Sequence, residues 1–290
     1  MSEAAPPPAS DDARLAAALW TTSRWPVAHV AAAVVAPSGV LGTVGDADRP
    51  FALASVTKLL VAYACLIAVE EGTLDLDEPA GPEGSTVRHL LAHASGLGPD
   101  GGVLARPGTR RIYANAGYDA LAVRLAHNAG MPAVDYVLAA VCEPLAMTAT
   151  DVRNRSLASG GWSTAADLAR FARELLAPTL VHRSTLDAAT TVAFPGLDGV
   201  LPGFGRQQPN DWGLGFERRG DKRPHWTGAG NSPATFGHFG QAGTFLWVDP
   251  VPQRGLVVLT DRPFDEWAAL AWPRLADAVL AACGPSASGQ

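Results

Sequence analysis

The stretch from Phe51 to Glu71, FALASVTKLLVAYACLIAVEE, constrains this chain more than any other. Leu59, Leu60, Ala62, Leu66 and Val69 recur with helical character, and Gly72 after two glutamates reads as a helix stop. Within it, Ser55-Val56-Thr57-Lys58 forms an S-x-x-K tetrad. Positions i and i+3 of a helix share a face, so Ser55 and Lys58 should point to the same side, one turn apart. A serine hydroxyl becomes a good nucleophile only when a base takes its proton. A lysine amine is such a base when neutral, and burial at an apolar helix start pushes it that way. Free backbone N–H groups of a first turn are suited to hold a developing oxyanion. Alone, the tetrad is two fixed residues in four, and a solvated Ser and Lys on a helix is the simpler account of it.

At 290 residues the chain is long enough for one large domain or two intimate lobes. Its 48% hydrophobic and 17% charged content fits a compact globule. A net charge of −6 without a run of Lys or Arg argues against nucleic acid or an anionic membrane as main partner. Cys65, Cys142 and Cys283 fit no metal spacing, and Cys65 reads as a small buried hydrophobe. The N-terminal MSEAAPPPASDDAR lacks the pattern of a signal peptide, and no apolar run is long enough to span a bilayer. A cytoplasmic protein is expected.

Residues 1–10 and 284–290 read as loose tails around a single domain, 11–283. Asp11 to Trp20 should be a helix with Leu15, Ala18 and Leu19 as its apolar stripe. His29 to Ala36 and Val40 to Val44 should be strands joined at Pro37-Ser38-Gly39. Helices are expected over Val87 to Ala94, Asn115 to Ala129, Pro132 to Ala140 and after Ser163 or Thr164, with Asp167 in the first turn. His89 and His93 stand at i, i+4, a spacing that can hold a metal, but no third ligand follows, which favours a structural role. From Trp212 onward, glycines alternate with β-branched and aromatic runs. Thr244 to Val248 and Leu256 to Thr260 should pair antiparallel. A last helix should run from about Phe264 to Ala282. The mainly helical part, about 61–204, would be one lobe, and 11–60 with 205–283 the α/β lobe.

Taken in order, FALASVTK, EGTLDLDEP, HLLAHASGL, RPGTRRIYANAGYDAL, EPLAMTAT, GGWSTAADLARF and FGHFGQAGTFLWVDP resemble the serine β-lactamase and D-alanyl-D-alanine peptidase superfamily. The nearest match is the class C β-lactamase-like branch, which includes the family VIII carboxylesterases. The resemblance covers about residues 12–283. It implies an α/β fold of the α+β type. An antiparallel sheet would be flanked by N- and C-terminal helices, with a mainly helical lobe beside it and the active site between them. It implies that Ser55 is the acylated nucleophile and that Lys58 shares its proton network. Tyr113 would be the tyrosine of a Y-x-N motif, able to act as base and then as acid, with Lys58 lowering its pKa. Asn115 would steady the lysine and the substrate.

By the same resemblance, His238-Phe239-Gly240 occupies the third motif, usually K-T-G or H-T-G. Gly240 would let the strand edge approach the substrate. His238 would hold a positive or hydrogen-bonding position near Tyr113. Backbone N–H groups of Ser55 and Gln241 would form the oxyanion hole. Packed core roles for Tyr113 and His238, with Asn115 a helix cap, are the simpler alternatives. Trp212, His225, Trp226 and Trp247 are read as core. Phe239 departs from the small hydroxyl residue of β-lactamases, which helps bind the substrate carboxylate, and the chain is short for the branch. Both points, with the missing signal peptide, favour a carboxylesterase acting on small esters. A β-lactamase, a D-amino-acid peptidase, a biosynthetic acyltransferase and a non-catalytic binding protein are the alternatives. No metal or organic cofactor is expected, and the expected partner is a small-molecule ester or amide.

Overall fold

The computed structural model describes residues 10–153 and 156–284, so the expected tails fall outside it apart from Ser10 and Gly284. In chain order the elements are α1 (Asp11–Trp20), β1 (Val30–Ala36), β2 (Gly39–Val44), β3 (Phe51–Ala52), α2 (Thr57–Glu70), α3 (Val87–Leu91) and α4 (Asn115–Ala129). Then come α5 (Ala133–Val137), β4 (Trp162–Ser163), α6 (Ala165–Leu176), α7 (Arg183–Thr190), β5 (Gly199–Leu201), β6 (Gly205–Gln207) and β7 (Glu217–Arg218). The chain closes with β8 (Phe236–Gly240), β9 (Thr244–Asp249), β10 (Arg254–Thr260) and α8 (Glu266–Cys283). No helix among the described residues is long and apolar enough to cross a membrane.

Six strands form one antiparallel sheet in the order β2-β1-β10-β9-β8-β7. The β1–β10 pairing, with Val30 opposite Thr260, joins the two ends of the chain. Side chains alternate across the sheet, as a pleated strand requires. Ala32 and Val34 face α1 and α8 together with Trp247, Val258, Trp272 and Leu275. Ala31, Ala33 and Val35 face the other way, with Leu246, Val257, Leu168 and Phe171. Both faces are covered, so the strands read as nearly continuous apolar runs.

α2 is the centre of the molecule. Every residue from Thr57 to Ala68 is buried, including Lys58. A helix that is apolar all round has to lie inside a core, and this one lies between the sheet and α4, α5 and α7. Cys65 is fully buried in it. α6 was expected in the helical lobe, but its apolar face packs on β1 and β10 instead. Thr164 caps it, accepting from the Asp167 N–H at 3.2 Å.

The expected helix at 87–94 stops at Leu91, because His93 takes a left-handed backbone with φ of 53°. The expected helix at 132–140 is α5 followed by a π-helical turn over Leu138–Cys142.

The exposed edge of the sheet next to β8 is held by a buried ionic cluster. Glu217 on β7 accepts from Lys222 Nζ, from His225 Nε2 at 3.0 Å and from Trp226 Nε1 at 2.9 Å. Lys222 also donates to the Asp211 carbonyl at 2.8 Å. Burial pushes the Glu217 carboxyl up, but the adjacent Lys222 and His225 more than offset it, leaving it at about 2. A buried charge stripped of its partner is costly, so Lys222→Met should lower stability by about 3–5 kcal/mol. Adding Glu217→Gln should recover part of that loss. Urea unfolding of the two variants checks both outcomes; an equal or larger loss in the double variant would mean the pair is not the cause.

Candidate active site

Ser55 does not lie on α2 itself. It sits in a 3₁₀ turn, Ala54–Val56, that leads into the helix, and Ala54 has a positive φ of 46°. That conformation is uncommon for a residue with a Cβ and marks a locally strained turn. The turn is fastened on three sides. The Leu53 N–H donates to the Gly161 carbonyl at 2.8 Å, and Thr57 Oγ1 donates to the Ala54 carbonyl at 2.7 Å. Thr244 Oγ1 on β9 donates to the Leu53 carbonyl at 2.9 Å.

Gly240 at the end of β8 lies against the same turn. A Cβ there would fall 2.2 Å from Leu53 O and 3.1 Å from Ala54 Cβ. The close approach expected of Gly240 is therefore made to the backbone that carries Ser55.

Lys58, wholly buried, is bonded from three directions. Its Nζ donates to Asn115 Oδ1 at 2.7 Å and to the Ala158 carbonyl at 2.7 Å, and lies 3.3 Å from Ser55 Oγ. Burial lowers its pKa to about 7, and the charge of Asp119 partly opposes this. A neutral amine has two N–H donors and one lone pair. Asn115 and Ala158 occupy both donors, which leaves the lone pair for the Ser55 hydroxyl. Tyr113 OH donates to the same Ser55 oxygen at 2.6 Å. Lys58 Nζ is 4.8 Å from the Tyr113 ring centre. Ser55, Lys58, Tyr113 and Asn115 thus form one connected unit, drawn from the α2 turn and the start of α4.

The pKa expected of Tyr113 is corrected. Burial pushes the phenol well above its ordinary value, and its bond to Ser55 only partly offsets this. Tyr113 is held protonated, and Lys58 is the group poised to accept a proton near neutral pH.

The third motif splits between two faces of the sheet. His238 points to the site side, its ring edge-on to Tyr113 at 5.4 Å and to Trp212 at 5.2 Å. Burial, with Lys58 nearby, lowers its pKa to about 3. The positive His238 considered from sequence is corrected to a neutral imidazole.

Phe239 points the opposite way, as strand alternation requires. It packs at 4.9 Å on Phe264 and at 5.9 Å on Phe204 and Trp272, under α8. Its substrate-facing role is corrected: the ring belongs to the core. Gln241 is exposed, its side-chain amide donating to the Phe264 carbonyl at 2.9 Å. Its own backbone N–H has no hydrogen-bond partner among the described residues.

Sequence reasoning missed three contributors. Ala158 acts only through its carbonyl, which no sequence signal marks. Trp212 walls the site behind Tyr113, with ring centres 5.9 Å apart. His93 clamps the Y-x-N turn. Its carbonyl accepts from the Ile112 N–H at 2.9 Å, its Nδ1 accepts from the Ala114 N–H at 3.4 Å, and its ring lies 4.6 Å from Tyr113. Burial holds it neutral. His89 does not converge with it. It bonds Thr86 Oγ1 at 2.9 Å and stacks on Phe194, so the pair forms no metal site. No group of three or more His, Cys, Asp or Glu among the described residues is placed to hold a metal.

If His93 positions Tyr113, His93→Leu should cost kcat about tenfold, from one buried N–H left unpaired, while KM changes little. His93→Asn, which restores an acceptor, should recover part of the rate. Steady-state kinetics of both variants checks this; equal losses in the two, or a loss confined to KM, would leave His93 a packing residue.

A beta-lactamase family model matches residues 29–281. A solved structure of a beta-lactamase from Mycobacterium bovis is 56% identical, with a TM-score of 0.91, covering 92% of this chain and 99% of its own. A hydrolase described as having promiscuous acyltransferase activity superposes with a TM-score of 0.73 at 16% identity, covering 93% of this chain and 98% of its own. A D-stereospecific amidohydrolase from Streptomyces sp. does so at 0.68 and 21%, covering 91% and 98%. These two show the shared fold alone. No curated protein sequence matches the chain. With the family model spanning the whole sheet and the Ser55 site, the chain belongs to the beta-lactamase family, and its site is consistent with a serine hydrolase.

Proposed function

We propose that this protein hydrolyses small carboxylic esters through an acyl-Ser55 intermediate. The observation that carries this reading is the convergence on Ser55 Oγ of Tyr113 OH at 2.6 Å and a buried Lys58 Nζ at 3.3 Å whose pKa is about 7. Ser55 Oγ attacks the ester carbonyl carbon as its proton passes to the lone pair of Lys58. The C–O bond to the alcohol then breaks. Tyr113, still protonated, donates to the departing oxygen and is reprotonated by Lys58. Water repeats the sequence on the acyl-enzyme and frees the acid. The N–H groups of Ser55 and Gln241 are the proposed donors to the oxyanion.

Ester over β-lactam is favoured by the third motif, on β8. β-Lactams and D-peptides bring a carboxylate to that edge. Here the edge offers a neutral imidazole, and the next side chain turns into the core. An anion desolvated there without a partner is penalised, whereas a neutral ester is not. A second reading, β-lactam hydrolysis by the same groups, is favoured by the name of the 56%-identical relative.

Ser55→Ala should abolish turnover and the mass adduct left by a fluorophosphonate; an adduct on another residue would rule Ser55 out. Lys58→Ala and Tyr113→Phe should each cost about a hundredfold or more, and the double variant little more than the worse single. The rate should rise with pH through about 7 as Lys58 loses its proton. A rise only above pH ~10, the ordinary range of a phenol, would make Tyr113 the base instead. A short-chain p-nitrophenyl ester should be turned over far more efficiently than nitrocefin. The reverse order would establish the second reading.

A further inference from the structure

The site opens into a cavity of about 420 Å³ that begins at Tyr113 and Asn115. Its walls are apolar, formed by Pro99, Ile112, Val200 and Pro202. Arg110 and Arg111 are the charged groups that line it, and they differ in kind. Arg111 is buried, and its guanidinium is spent on backbone carbonyls. Nε donates to Asn210 O, Nη1 to Ala92 O, and Nη2 to Ala193 O and Phe194 O. Arg110 is exposed and, among the described residues, makes no ion pair or side-chain hydrogen bond, although its charge is felt by the Asp198 carboxylate.

Arg110 also borders a second cavity of about 490 Å³, which continues past Val200 to Asp198 and Arg206. The acid nearest in that second cavity is already engaged. Asp198 accepts from Arg206 at 3.0 Å and from Gln208 at 2.7 Å. Asp198 is the acid lining these cavities, and Arg206 holds it by hydrogen bond, so the cations around the junction outnumber the acid.

Resting on the esterase reading above, we infer that the preferred substrate is an ester with an apolar body and a carboxylate remote from the scissile bond, bound by Arg110. A pocket with apolar walls and one placed polar group fixes the orientation of such a ligand. A guanidinium that spends no donor on the described residues can match a carboxylate in a bidentate manner. On the sheet side of the site, His238 is neutral and Phe239 is buried, so a carboxylate has no partner there. Recognition of the anion falls instead to the cavity that Arg110 shares with Tyr113 and Asn115. Because Arg110 is exposed, its contribution is modest and screened by salt.

The test compares p-nitrophenyl half-esters of dicarboxylic acids, from succinate to suberate, with p-nitrophenyl esters of monocarboxylic acids of matched length. The quantity read is the ratio of kcat/KM for the acidic substrate to that for the neutral one. In the wild-type protein it should be about five to ten at low salt, at the best-fitting length, and should fall as salt is added. Arg110→Gln should bring it near one, and Arg110→Glu below one. Because a general loss of folding lowers both rates, it leaves the ratio in place. A wild-type ratio near one, or one that Arg110→Gln does not change, overturns the inference. A second arm needs no turnover. Calorimetric binding of suberate and of its monoamide to Ser55→Ala should favour the diacid, and adding Arg110→Gln should remove the preference. If no ester is hydrolysed by the wild-type protein, the esterase reading fails by itself, and this arm still decides whether Arg110 binds the anion.

Discussion

The buried amine of Lys58 is the interaction on which the rest of the site depends. A lysine removed from water is stable only if its N–H groups find acceptors, and a neutral one needs two. Those acceptors, Asn115 Oδ1 and the Ala158 carbonyl, come from segments 57 and 100 residues away in sequence. The start of α4 and the 158–163 segment are therefore held against α2 by the same bonds that prepare the amine. The same burial that excludes water also lowers the amine's pKa toward neutrality. One physical cost, desolvation of a charge, thus yields both the packing around α2 and the basicity of the group next to Ser55.

The sheet contributes through its edge. β8 runs past the Ser55 turn closely enough that only glycine fits at 240. That placement requires β8 to be well held from both sides. β9 pairs along its full length, while β7 is only two residues long and relies on the cluster around Glu217. Charge buried one strand away from the site holds that edge of the sheet, and its Glu217 and Lys222 also act on His238. The same packing leaves His238 between Tyr113 and Trp212 with no charge to offer, which sets the electrostatic character of the cleft on that side.

Several features were legible from residues alone. α1 and α4 run as expected, the strands expected over 244–248 and 256–260 pair antiparallel, and α8 closes the chain. Apolar periodicity, an early Asp, and glycines past helix ends were sufficient, since these signals are local. The Ser55, Lys58, Tyr113 and Asn115 group was legible because motifs preserve spacing even when the chain between them is uninformative. Phe239 was misplaced because a motif states residue order but not which face of a strand each side chain takes. α6 was misassigned because its amphipathic stripe says that it packs, not on what. His93 looked like half of an i, i+4 pair. Its left-handed backbone breaks the helix and turns the ring toward Tyr113.

By itself, the sequence determined the main helices, the apolar runs of the long strands and which side chains were candidates for the site. Each of these follows from short-range preference or from residue chemistry. Only the tertiary structure decided the state of those groups. Lys58 near neutrality, Tyr113 held protonated, His238 uncharged and Arg110 left unpaired are all consequences of burial and of partners distant in sequence. Desolvation and hydrogen bonding act through space, and no local pattern of residues carries that information.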